Sequence, residues 1–477
     1  MSGRVPTVVE IADTPIDQLP PLIHVPPLTK PFDVTIRPPG SKSLTNRALL
    51  LAALAEGTST LKHALVDADD AQVMLRAIQQ LGAKVEQPDA ETLKITGVAG
   101  RWKIPAGHTV TLNLNNAGTA TRFLTAAAIL APPESEGIII DGNARMRERP
   151  IGELVDVLRA IGVAIEYRGR DGFPPISVRS ATGRVANEVA FGKTVSSQFV
   201  SALILIGPFL SSGLRMRLGA ELTSLPYVQM SYGLMPRLTW DGVDVLLQDG
   251  SERGPRRVDI RGGGRAAFQY EVESDATAAT YFLVGAGLCW SSVCIEGLPL
   301  PSLSLQGDSQ FGKQMELVGG SIEAEQWSSV LGPPRIGIQA DLRDMPDTAM
   351  SAAVLAAFVE PNEEERERRS WIGGLKTLRV KETDRIAALV TELAKVGVKV
   401  EPFIDGDDEA IRITPPPGGI DCSPSAPRVE FDTYDDHRMA MSLALIGLRR
   451  PNVYIRDPAC VRKTYPTYWR DLAKLYT

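Results

Sequence analysis

Leu81-Gly82-Ala83-Lys84-Val85 is the first copy of a pattern that occurs five times in this chain of 477 residues. In each copy an amphipathic helical pattern ends at a glycine, and a short strand of alternating apolar and polar residues follows. Glycine adopts the left-handed conformation that ends many helices without steric cost. The other copies are Ile161-Gly162-Val163-Ala164-Ile165, Asp241-Gly242-Val243-Asp244-Val245, Val318-Gly319-Gly320-Ser321-Ile322 and Val396-Gly397-Val398-Lys399-Val400. Successive glycines are 80, 80, 77 and 78 residues apart, which predicts a structural repeat of about eighty residues.

A second kind of helix alternates with the amphipathic one. It is apolar on nearly all sides, as expected for a helix buried inside a domain, and polar residues crowd its amino end. Six such helices are predicted, and they begin near Ser43, Gly118, Ser197, Asp275, Pro346 and Asp436. We therefore predict an α/β fold built from six repeats of a βαβαββ-type unit, with three repeats in each of two lobes.

The sixth repeat lacks its last strand, because its outer helix at residues 468–476 is not followed by a glycine and a strand. We predict that the amino-terminal strand Val34-Thr35-Ile36 completes this repeat, so that one lobe contains both chain ends. The predicted lobes are residues 1–40 with 273–477 and residues 41–272, with a cleft and a hinge between them near 40 and 272. The first thirty residues are predicted to be a proline-rich extension.

The composition is that of an ordinary globular protein, with 44% hydrophobic and 23% charged residues. A net charge of −6 argues against a protein that binds nucleic acid or a membrane surface, because such proteins usually carry a basic excess. The most apolar stretch, residues 199–210, is shorter than the roughly 18 residues that a membrane span needs. Four cysteines without CxxC spacing and four scattered histidines predict neither a disulfide framework nor a metal site. We expect a cytoplasmic monomer.

The amino ends of the buried helices predict a binding site for anions. Free N–H groups and the helix dipole make such an end partially positive. Most side chains at these ends are ligands of phosphate or carboxylate: Lys42, Arg47, Asn116, Arg122, Ser196, Ser197, Gln198, Asp275, Asp347, His437 and Arg438. Gly40-Ser41-Lys42-Ser43 lacks the glycine spacing of a P-loop, which argues against a nucleoside triphosphate. Each motif alone is more simply a helix cap, but their equivalent places in six repeats favour one shared site.

A series of ordered motifs is similar to those of a known enzyme family. The motifs are Pro39-Gly40-Ser41-Lys42-Ser43, Asn46-Arg47-Ala48-Leu49-Leu50-Leu51, Asn116-Ala117-Gly118-Thr119-Ala120, Arg145-Met146-Arg147-Glu148-Arg149-Pro150-Ile151, Val195-Ser196-Ser197-Gln198-Phe199, Pro226-Tyr227, Pro346-Asp347, Arg379-Val380-Lys381-Glu382-Thr383-Asp384-Arg385, Asp436-His437-Arg438-Met439-Ala440-Met441 and Lys463-Thr464. From about Pro39 to Leu475 the chain strongly resembles the 5-enolpyruvylshikimate-3-phosphate synthase family. The resemblance implies two inside-out α/β lobes that close over the substrates, in agreement with the six predicted repeats.

The resemblance also implies a reaction and a set of ligands. Phosphoenolpyruvate would give its enolpyruvyl group to the 5-hydroxyl of shikimate 3-phosphate, with release of inorganic phosphate. Shikimate 3-phosphate is expected to contact Lys42, Ser43, Arg47, Ser196, Ser197, Gln198, Ser224, Tyr227, Asp347, Thr377 and Lys381. Phosphoenolpyruvate is expected to contact Lys42, Asn116, Gly118, Arg149, Gln198, Arg385, His437, Arg438 and Lys463. Several cations around two anionic substrates would supply electrostatic catalysis, so we expect no metal and no cofactor.

This chemistry needs an acid and a base. The acid protonates the methylene carbon of phosphoenolpyruvate, and the base takes the proton from the attacking hydroxyl. By the resemblance we assign Asp347 as the base and Glu382 as the group that protonates and then deprotonates the methylene carbon. Lys42 is expected to stabilise negative charge, and the proton could come from either Lys42 or Glu382.

Two alternatives stay open at this point. The sister enzyme that transfers enolpyruvyl to UDP-N-acetylglucosamine carries a cysteine in the loop that corresponds to residues 141–150, and this chain has none there. A non-catalytic anion-binding relative would be indicated by loss of the acid or base, but Lys42, Asp347 and Glu382 are all present. The chain departs from the family at Phe123, where proline is usual, and we predict that Phe123 shifts Gly118 and reduces sensitivity to the inhibitor glyphosate. Leu225 and Thr377 also differ from the usual residues, which weakens the expected contacts there.

Overall fold

The computed structural model describes residues 4–180, 186–192, 196–219, 222, 224–247, 255–313, 321–322, 327–330, 332–361 and 368–477. The chain divides into two compact units. Unit 1 contains Met1–Pro39 and Ser274–Thr477, and unit 2 contains Gly40–Glu273. The predicted helix end at Gly319 lies outside the described residues.

Helices and strands alternate along the whole chain. The α-helices are α1 Lys42–Leu54, α2 Asp69–Gln80, α3 Gly118–Ala127, α4 Gly152–Ala160, α5 Ser197–Ile206, α6 Leu225–Arg237, α7 Ala276–Leu288, α8 Ala349–Ala357, α9 Arg385–Ala394, α10 His437–Gly447 and α11 Tyr468–Ala473. The strands are β1 Leu22–Val25, β2 Asp33–Ile36, β3 Thr58–Lys62, β4 Lys84–Glu86, β5 Thr92–Thr96, β6 Thr109–Asn113, β7 Gly137–Asp141, β8 Ala164–Tyr167, β9 Ile176–Arg179, β10 Glu188–Phe191, β11 Leu214–Leu218, β12 Val243–Leu247, β13 Pro255–Ile260, β14 Gln269–Glu271, β15 Ser292–Ile295, β16 Ser321–Ile322, β17 Trp327–Val330, β18 Gln339–Asp341, β19 Ser370–Gly373, β20 Lys399–Asp405, β21 Asp408–Thr414, β22 Val429–Phe431 and β23 Val453–Arg456.

The described residues of each unit form three sheets with one common strand arrangement. In unit 2 the orders are β14-β3-β5-β4, β6-β7-β9-β8 and β10-β11-β13-β12. The first pair in each order is parallel and the next two pairs are antiparallel. Unit 1 repeats this arrangement in β2-β15-β17-β16 and β18-β19-β21-β20, and its third sheet is β22-β23-β1. This repetition confirms the predicted α/β fold of six repeats, three in each unit.

The strand that completes the sixth repeat is β1, so the prediction for Val34-Thr35-Ile36 was wrong. In β1, Leu22 lies opposite Arg456 and Val25 lies opposite Val453, in antiparallel register. Val34-Thr35-Ile36 instead belongs to β2, which runs parallel to β15 in the fourth repeat. Prolines stand on both sides of β1, at positions 20, 21, 26 and 27. Proline cannot donate to a sheet ladder, but here it bounds the strand and does not interrupt it.

The apolar helices form the centre of each unit. In unit 2, α1, α3 and α5 pack against one another, and in unit 1 α7, α8 and α10 do the same. Every residue of α7 is buried, whereas the strands around the helices alternate, as in β5, where Leu93 and Ile95 are buried and Lys94 is exposed. Helices at the centre with half-exposed sheets around them are the inside-out arrangement that the resemblance implied. The buried helices begin at or beside the predicted residues, and α8 follows a 3-10 turn, Pro346–Thr348.

Gly82, Gly162 and Gly397 end outer helices as predicted, but Gly242 does not, because α6 ends at Arg237 and its left-handed residue is Thr239, with a φ of +60°. Gly82 follows α2 with a φ of +102°, and a Cβ there would lie 2.5 Å from Lys103 Cβ. Gly162, Gly242 and Gly397 have φ values of +97°, +82° and +81°. These values lie in the left-handed region that residues with a Cβ rarely adopt. Within the described part of the chain, every helix is too short or too polar to span a lipid bilayer.

Candidate active site

Asp347, in the 3-10 turn before α8, lies in a cluster of buried charges in unit 1. Its Oδ1 accepts a hydrogen bond from Arg385 Nη1 at 3.0 Å and is 3.3 Å from Lys381 Nζ. Its Oδ2 accepts a hydrogen bond from Arg438 Nη2 at 2.9 Å. Three cations therefore surround this one carboxylate.

Glu382 lies beside the same arginine. Its Oε2 accepts a hydrogen bond from Arg385 Nη2 at 3.0 Å, and its Oε1 is 3.1 Å from Lys463 Nζ. The side chain of Glu382 is only 7% exposed, so little water competes for these contacts. The structure thus brings the two predicted catalytic carboxylates, Asp347 and Glu382, to one guanidinium group.

Arg385 is fixed in turn by Asp436, the N-cap residue of α10. Its Nε donates to Asp436 Oδ2 at 2.8 Å and its Nη2 to Oδ1 at 3.3 Å. Asp436 also accepts the backbone N–H of Arg438 at 2.9 Å. Burial would lower the pKa of Arg385, but the charges of Asp436 and of the two carboxylates outweigh burial and raise that pKa. Arg385 therefore stays charged and has one fixed orientation.

Two other predicted ligands in unit 1 are His437 and Thr377. His437 is the first residue of α10 and is fully buried, with its Nδ1 3.8 Å from Asp436 Oδ1. Thr377 lies in the 3-10 segment Lys376–Val380, and its hydroxyl oxygen is buried without a hydrogen-bond partner among the described residues. His437 therefore lies beside Asp436, the residue that fixes Arg385.

In unit 2, Lys42 is the first residue of α1 and pairs with an acidic residue that the sequence analysis did not identify. Its Nζ is 3.4 Å from Asp70 Oδ2, and the two side chains are 13% and 8% exposed. Asp70 lies in the first turn of α2. Acidic residues in a first helical turn are common because they offset the helix dipole, so the sequence offered no specific signal for this pair.

Arg149, Asn116 and Gly118 meet at the start of α3. Arg149 Nη1 donates to Asn116 Oδ1 at 3.2 Å and to the Asn116 carbonyl at 3.4 Å. A Cβ on Gly118 would lie 2.7 Å from Arg149 Nη2, so glycine leaves the room that this guanidinium occupies. Arg122 is buried and donates to the carbonyl of Pro150 at 2.8 Å, so it holds the segment that carries Arg149.

Arg47 is buried at the centre of unit 2, and its guanidinium binds protein groups. It donates to Ser231 Oγ at 2.8 Å, the Ser43 carbonyl at 2.8 Å, the Tyr227 carbonyl at 2.9 Å and Ser201 Oγ at 3.3 Å. Burial lowers the pKa of Arg47 to about 9. The ring of Phe123 lies against it, with its centroid 5.2 Å from the guanidinium carbon. Arg47 thus joins α1 and α3 to α5 and α6.

The start of α5 carries three of the predicted ligands, Ser196, Ser197 and Gln198. Ser196 is the N-cap residue, and its Oγ accepts the N–H of Gln198 at 3.3 Å. Gln198 Nε2 donates to Thr119 Oγ1 at 3.3 Å, which links α5 to α3. Ser224 precedes α6 with a left-handed backbone, at φ +51°.

Asp308 is a buried carboxyl in unit 1 that the sequence analysis also missed. It lies in the 3-10 turn Gly307–Gln310 and accepts a hydrogen bond from the Thr277 hydroxyl. Burial and the negative charge of Asp347 raise its pKa to about 7. Asp308 belongs to a turn and not to a helix start, so the pattern that revealed the other residues could not reveal it. Among the described residues, no group of three or more His, Cys, Asp or Glu side chains is arranged to hold a metal ion.

The chain is similar to known proteins over nearly its whole length. The sequence profile described as EPSP synthase (3-phosphoshikimate 1-carboxyvinyltransferase) matches residues 28–472 of the chain. The chain belongs to the EPSP synthase family. This confirms the resemblance that its motifs indicated.

Individual members of the EPSP synthase family match over nearly their whole length. A protein of Shewanella denitrificans named 3-phosphoshikimate 1-carboxyvinyltransferase is 38% identical over 457 residues, which cover 95% of this chain and 98% of that protein. A protein of Ralstonia nicotianae with the same name is 40% identical over 446 residues, which cover 91% of this chain and 95% of that protein. A solved structure of EPSP synthase from Acinetobacter baumannii matches with a TM-score of 0.72 and 24% identity, over 94% of this chain and 96% of that one. The solved structure supports the fold.

Proposed function

We propose that this chain transfers the enolpyruvyl group of phosphoenolpyruvate to the 5-hydroxyl of shikimate 3-phosphate and releases inorganic phosphate, a step in aromatic amino acid biosynthesis. The observation that carries this proposal is Arg385, which joins the carboxylates of Asp347 and Glu382 in one buried cluster with Arg438 and Lys463. The reaction needs two carboxylates with separate duties and several cations for anionic substrates. Membership of the EPSP synthase family selects this reaction among those that such a cluster could serve.

Asp347 is proposed to take the proton from the 5-hydroxyl. Its oxygens contact Arg385, Arg438 and Lys381, and the phosphate and carboxylate of phosphoenolpyruvate would compete for these same cations. A carboxylate that loses contacts with cations becomes a stronger base. Binding of phosphoenolpyruvate would therefore also activate the base that prepares the attacking hydroxyl.

Glu382 is proposed to give a proton to the methylene carbon of phosphoenolpyruvate. The deprotonated hydroxyl oxygen then forms a bond to the neighbouring carbon, and a tetrahedral intermediate results. Loss of a methyl proton to the same carboxylate restores the double bond, and phosphate leaves with the electrons of its bond to carbon. Lys463 lies 3.1 Å from Glu382 Oε1 and would stabilise the carboxylate between the two proton transfers. Lys42 remains the alternative source of the first proton.

The ligand sets implied by the resemblance are retained as proposals. Arg149 and Asn116, with Gly118 beside them, suit phosphoenolpyruvate, because an arginine can bind its carboxylate or phosphate with two parallel hydrogen bonds. For Arg47 we propose an indirect role toward shikimate 3-phosphate, because its donors hold the carbonyls of Ser43 and Tyr227.

An assay of phosphate release tests the proposal. The purified chain, given phosphoenolpyruvate, is expected to release phosphate with shikimate 3-phosphate and not with UDP-N-acetylglucosamine. Release with UDP-N-acetylglucosamine alone would establish the sister reaction instead. No release with either acceptor would contradict an enzymatic function and favour the non-catalytic anion-binding relative. The monomeric state and the cytoplasmic location stay predictions, and light scattering of the purified chain measures the first.

A further inference from the structure

Glu392 is a fully buried carboxylate that the proposed reaction does not use. It lies on α9, seven residues after Arg385, and its side chain is 0% exposed. A charged group is rarely buried unless its hydrogen bonds and ion pairs offset the free energy lost with its contacts to water. The groups that bind Glu392 therefore indicate what it does.

Both oxygens of Glu392 bind the segment that leads into α10. Oε2 accepts the backbone N–H of Asp432 at 2.9 Å, and Oε1 accepts the hydroxyl of Tyr434 at 2.7 Å. Lys395 donates to Oε2 at 2.7 Å and to Asp432 Oδ2 at 3.0 Å. The segment is thus attached to α9 through its backbone and two of its side chains.

The same segment has an unfavourable backbone conformation. Tyr434 has a φ of +58° and Asp435 a φ of +53°. Each residue has a Cβ, which crowds the carbonyl oxygen in the left-handed region. Two such residues in succession persist only where the surrounding structure holds them. The contacts of Glu392 at Asp432 and Tyr434 lie at the start of this strained stretch and supply that restraint.

The strained stretch leads directly into the residues of the charge cluster. Asp436 caps α10 and binds Arg385, and Arg438 reaches Asp347 at 2.9 Å. α9 therefore contacts the entry to α10 at two points, Arg385 in its first turn and Glu392 about 10 Å further along the helix axis. One contact would fix the distance between the two helices at this end, but two contacts also fix the direction in which α10 starts.

We propose that Glu392 is a positioning residue that holds the segment from Asp432 to Asp435, so that α10 presents Arg438 to Asp347 and to phosphoenolpyruvate. This inference rests on the proposed function, because it assigns Arg438 to phosphoenolpyruvate. Without the carboxylate, the Asp432 N–H, the Tyr434 hydroxyl and Lys395 lose an acceptor that all three share. The left-handed residues can then relax and move the first turn of α10.

The test is a comparison of three variants with the wild type. Glu392→Gln keeps the shape of the side chain and removes its charge. Tyr434→Phe removes one hydrogen bond and leaves the others. Glu401→Gln, on β20, is the matched control, because Glu401 has a 42% exposed side chain that pairs with Lys399. Steady-state kinetics give kcat and the KM for phosphoenolpyruvate at saturating shikimate 3-phosphate, and thermal denaturation identifies the temperature range in which each variant is folded.

Glu392→Gln is expected to raise the KM for phosphoenolpyruvate about tenfold while kcat changes less than about threefold, because a displacement of about 1 Å weakens a bound ion without removing the acid or base. Tyr434→Phe is expected to raise the KM about threefold, and Glu401→Gln to change neither constant. A merely structural role would lower the folded fraction, which reduces apparent kcat and leaves the KM unchanged. An unchanged KM in Glu392→Gln would overturn the inference.

A second measurement does not depend on activity. In a crystal structure of Glu392→Gln, or of Tyr434→Phe if the first variant does not fold, the hydrogen bond between Arg438 Nη2 and Asp347 Oδ2 is expected to lengthen beyond its 2.9 Å. An unchanged position of Arg438 would overturn the inference even if the wild type proved inactive. Inactivity of the wild type with both substrates would instead contradict the proposed function.

Discussion

Gly118 and Arg149 occupy adjacent space at the start of α3, and this proximity predicts the effect of one added methyl group. A Cβ would lie 2.7 Å from Arg149 Nη2, closer than real Cβ contacts come. Gly118→Ala is expected to displace the guanidinium and raise the KM for phosphoenolpyruvate about tenfold or more, with a smaller effect on kcat. Gly192→Ala is the control, because a Cβ at Gly192 meets no atom of the described residues within 4 Å. An equal KM in the two variants would contradict the assignment of Arg149.

Asp347 is predicted to matter for the chemical step more than for binding. Asp347→Asn keeps the size of the side chain but removes the base, so kcat for phosphate release is expected to fall by about 1,000-fold. Asp341→Asn, on β18, should leave kcat unchanged, because Asp341 is more exposed and pairs with Arg343. A loss of less than about tenfold in the Asp347 variant would assign the base to another group.

Phe123 is predicted to reduce sensitivity to glyphosate. Its side chain is fully buried, and its ring packs against the guanidinium of Arg47. Phe123 lies five residues after Gly118 on α3, which is about 1.4 helical turns. Phe123→Pro removes this ring from the helix that carries Gly118 and is expected to lower the inhibition constant of glyphosate. Inhibition titrations measure that constant for both proteins, with Phe123→Leu as a variant that keeps the helix intact. Equal inhibition constants in wild type and Phe123→Pro would count against a role for Phe123.

At the scale of elements, β1 is predicted to stabilise unit 1, although the proline-rich sequence on both sides of it is typical of a loop. Ile23 is fully buried and lies opposite Ile455 on β23. Ile23→Ala is expected to lower the free energy of unfolding by about 2–4 kcal/mol, because it removes buried methyl groups and leaves a cavity. Leu303→Ala, at a 59% exposed side chain, should change it by less than about 0.5 kcal/mol. Urea denaturation measures both, and equal stabilities would show that β1 is dispensable.

The helices were predictable from the sequence because their signals are local. An apolar helix such as α7 and a terminating glycine such as Gly82 are visible within some fifteen residues, and the eighty-residue period then orders them. The partner of β1 was not predictable, because pairing depends on residues far along the chain and a four-residue strand carries little pattern of its own. Local signals therefore gave the repeats but not the strand that closes the last one.

Some residues of the candidate site were likewise predictable from local sequence signals, and others were not. Lys42, Asp347 and Arg438 stand at helix starts, so their positions followed from the repeat. Asp70 and Glu392 could not be found, because each occupies an ordinary place on an amphipathic outer helix. Each is singled out only by its contacts with another element. Asp70 pairs with Lys42 on α1, and Glu392 binds the segment that leads into α10.

At the scale of the whole molecule, Asp308 predicts how stability depends on pH. Burial and then the charge of Asp347 raise its pKa from 3.8 to about 7 in the folded chain. Between these values the folded state binds a proton that the unfolded state lacks, so this group stabilises the fold at low pH. That stability is lost as the pH rises through about 7, and it amounts to at most about 4 kcal/mol.

Asp308→Asn removes this contribution. The free energy of unfolding of the wild type relative to the variant is therefore expected to be larger at pH 5 than at pH 8. Urea unfolding at the two pH values measures the difference, and taking the variant as reference cancels the titration of other groups. The same difference at both pH values would show that Asp308 does not hold its proton in the folded chain.

The pairing of β1 with β23 has a consequence for how the chain is made. Val25 pairs with Val453, which is synthesised much later. A ribosome that adds about 5–20 residues per second therefore completes β1 roughly 20 to 90 seconds before it completes β23. All of unit 2 is synthesised in that interval and can fold first. Unpaired strand edges attract other nascent chains and chaperones. The prolines on both sides of β1 limit such premature pairing, because they lack the N–H groups that another strand would bind. The prolines that make β1 hard to recognise in the sequence thus also limit its pairing with other strands during translation.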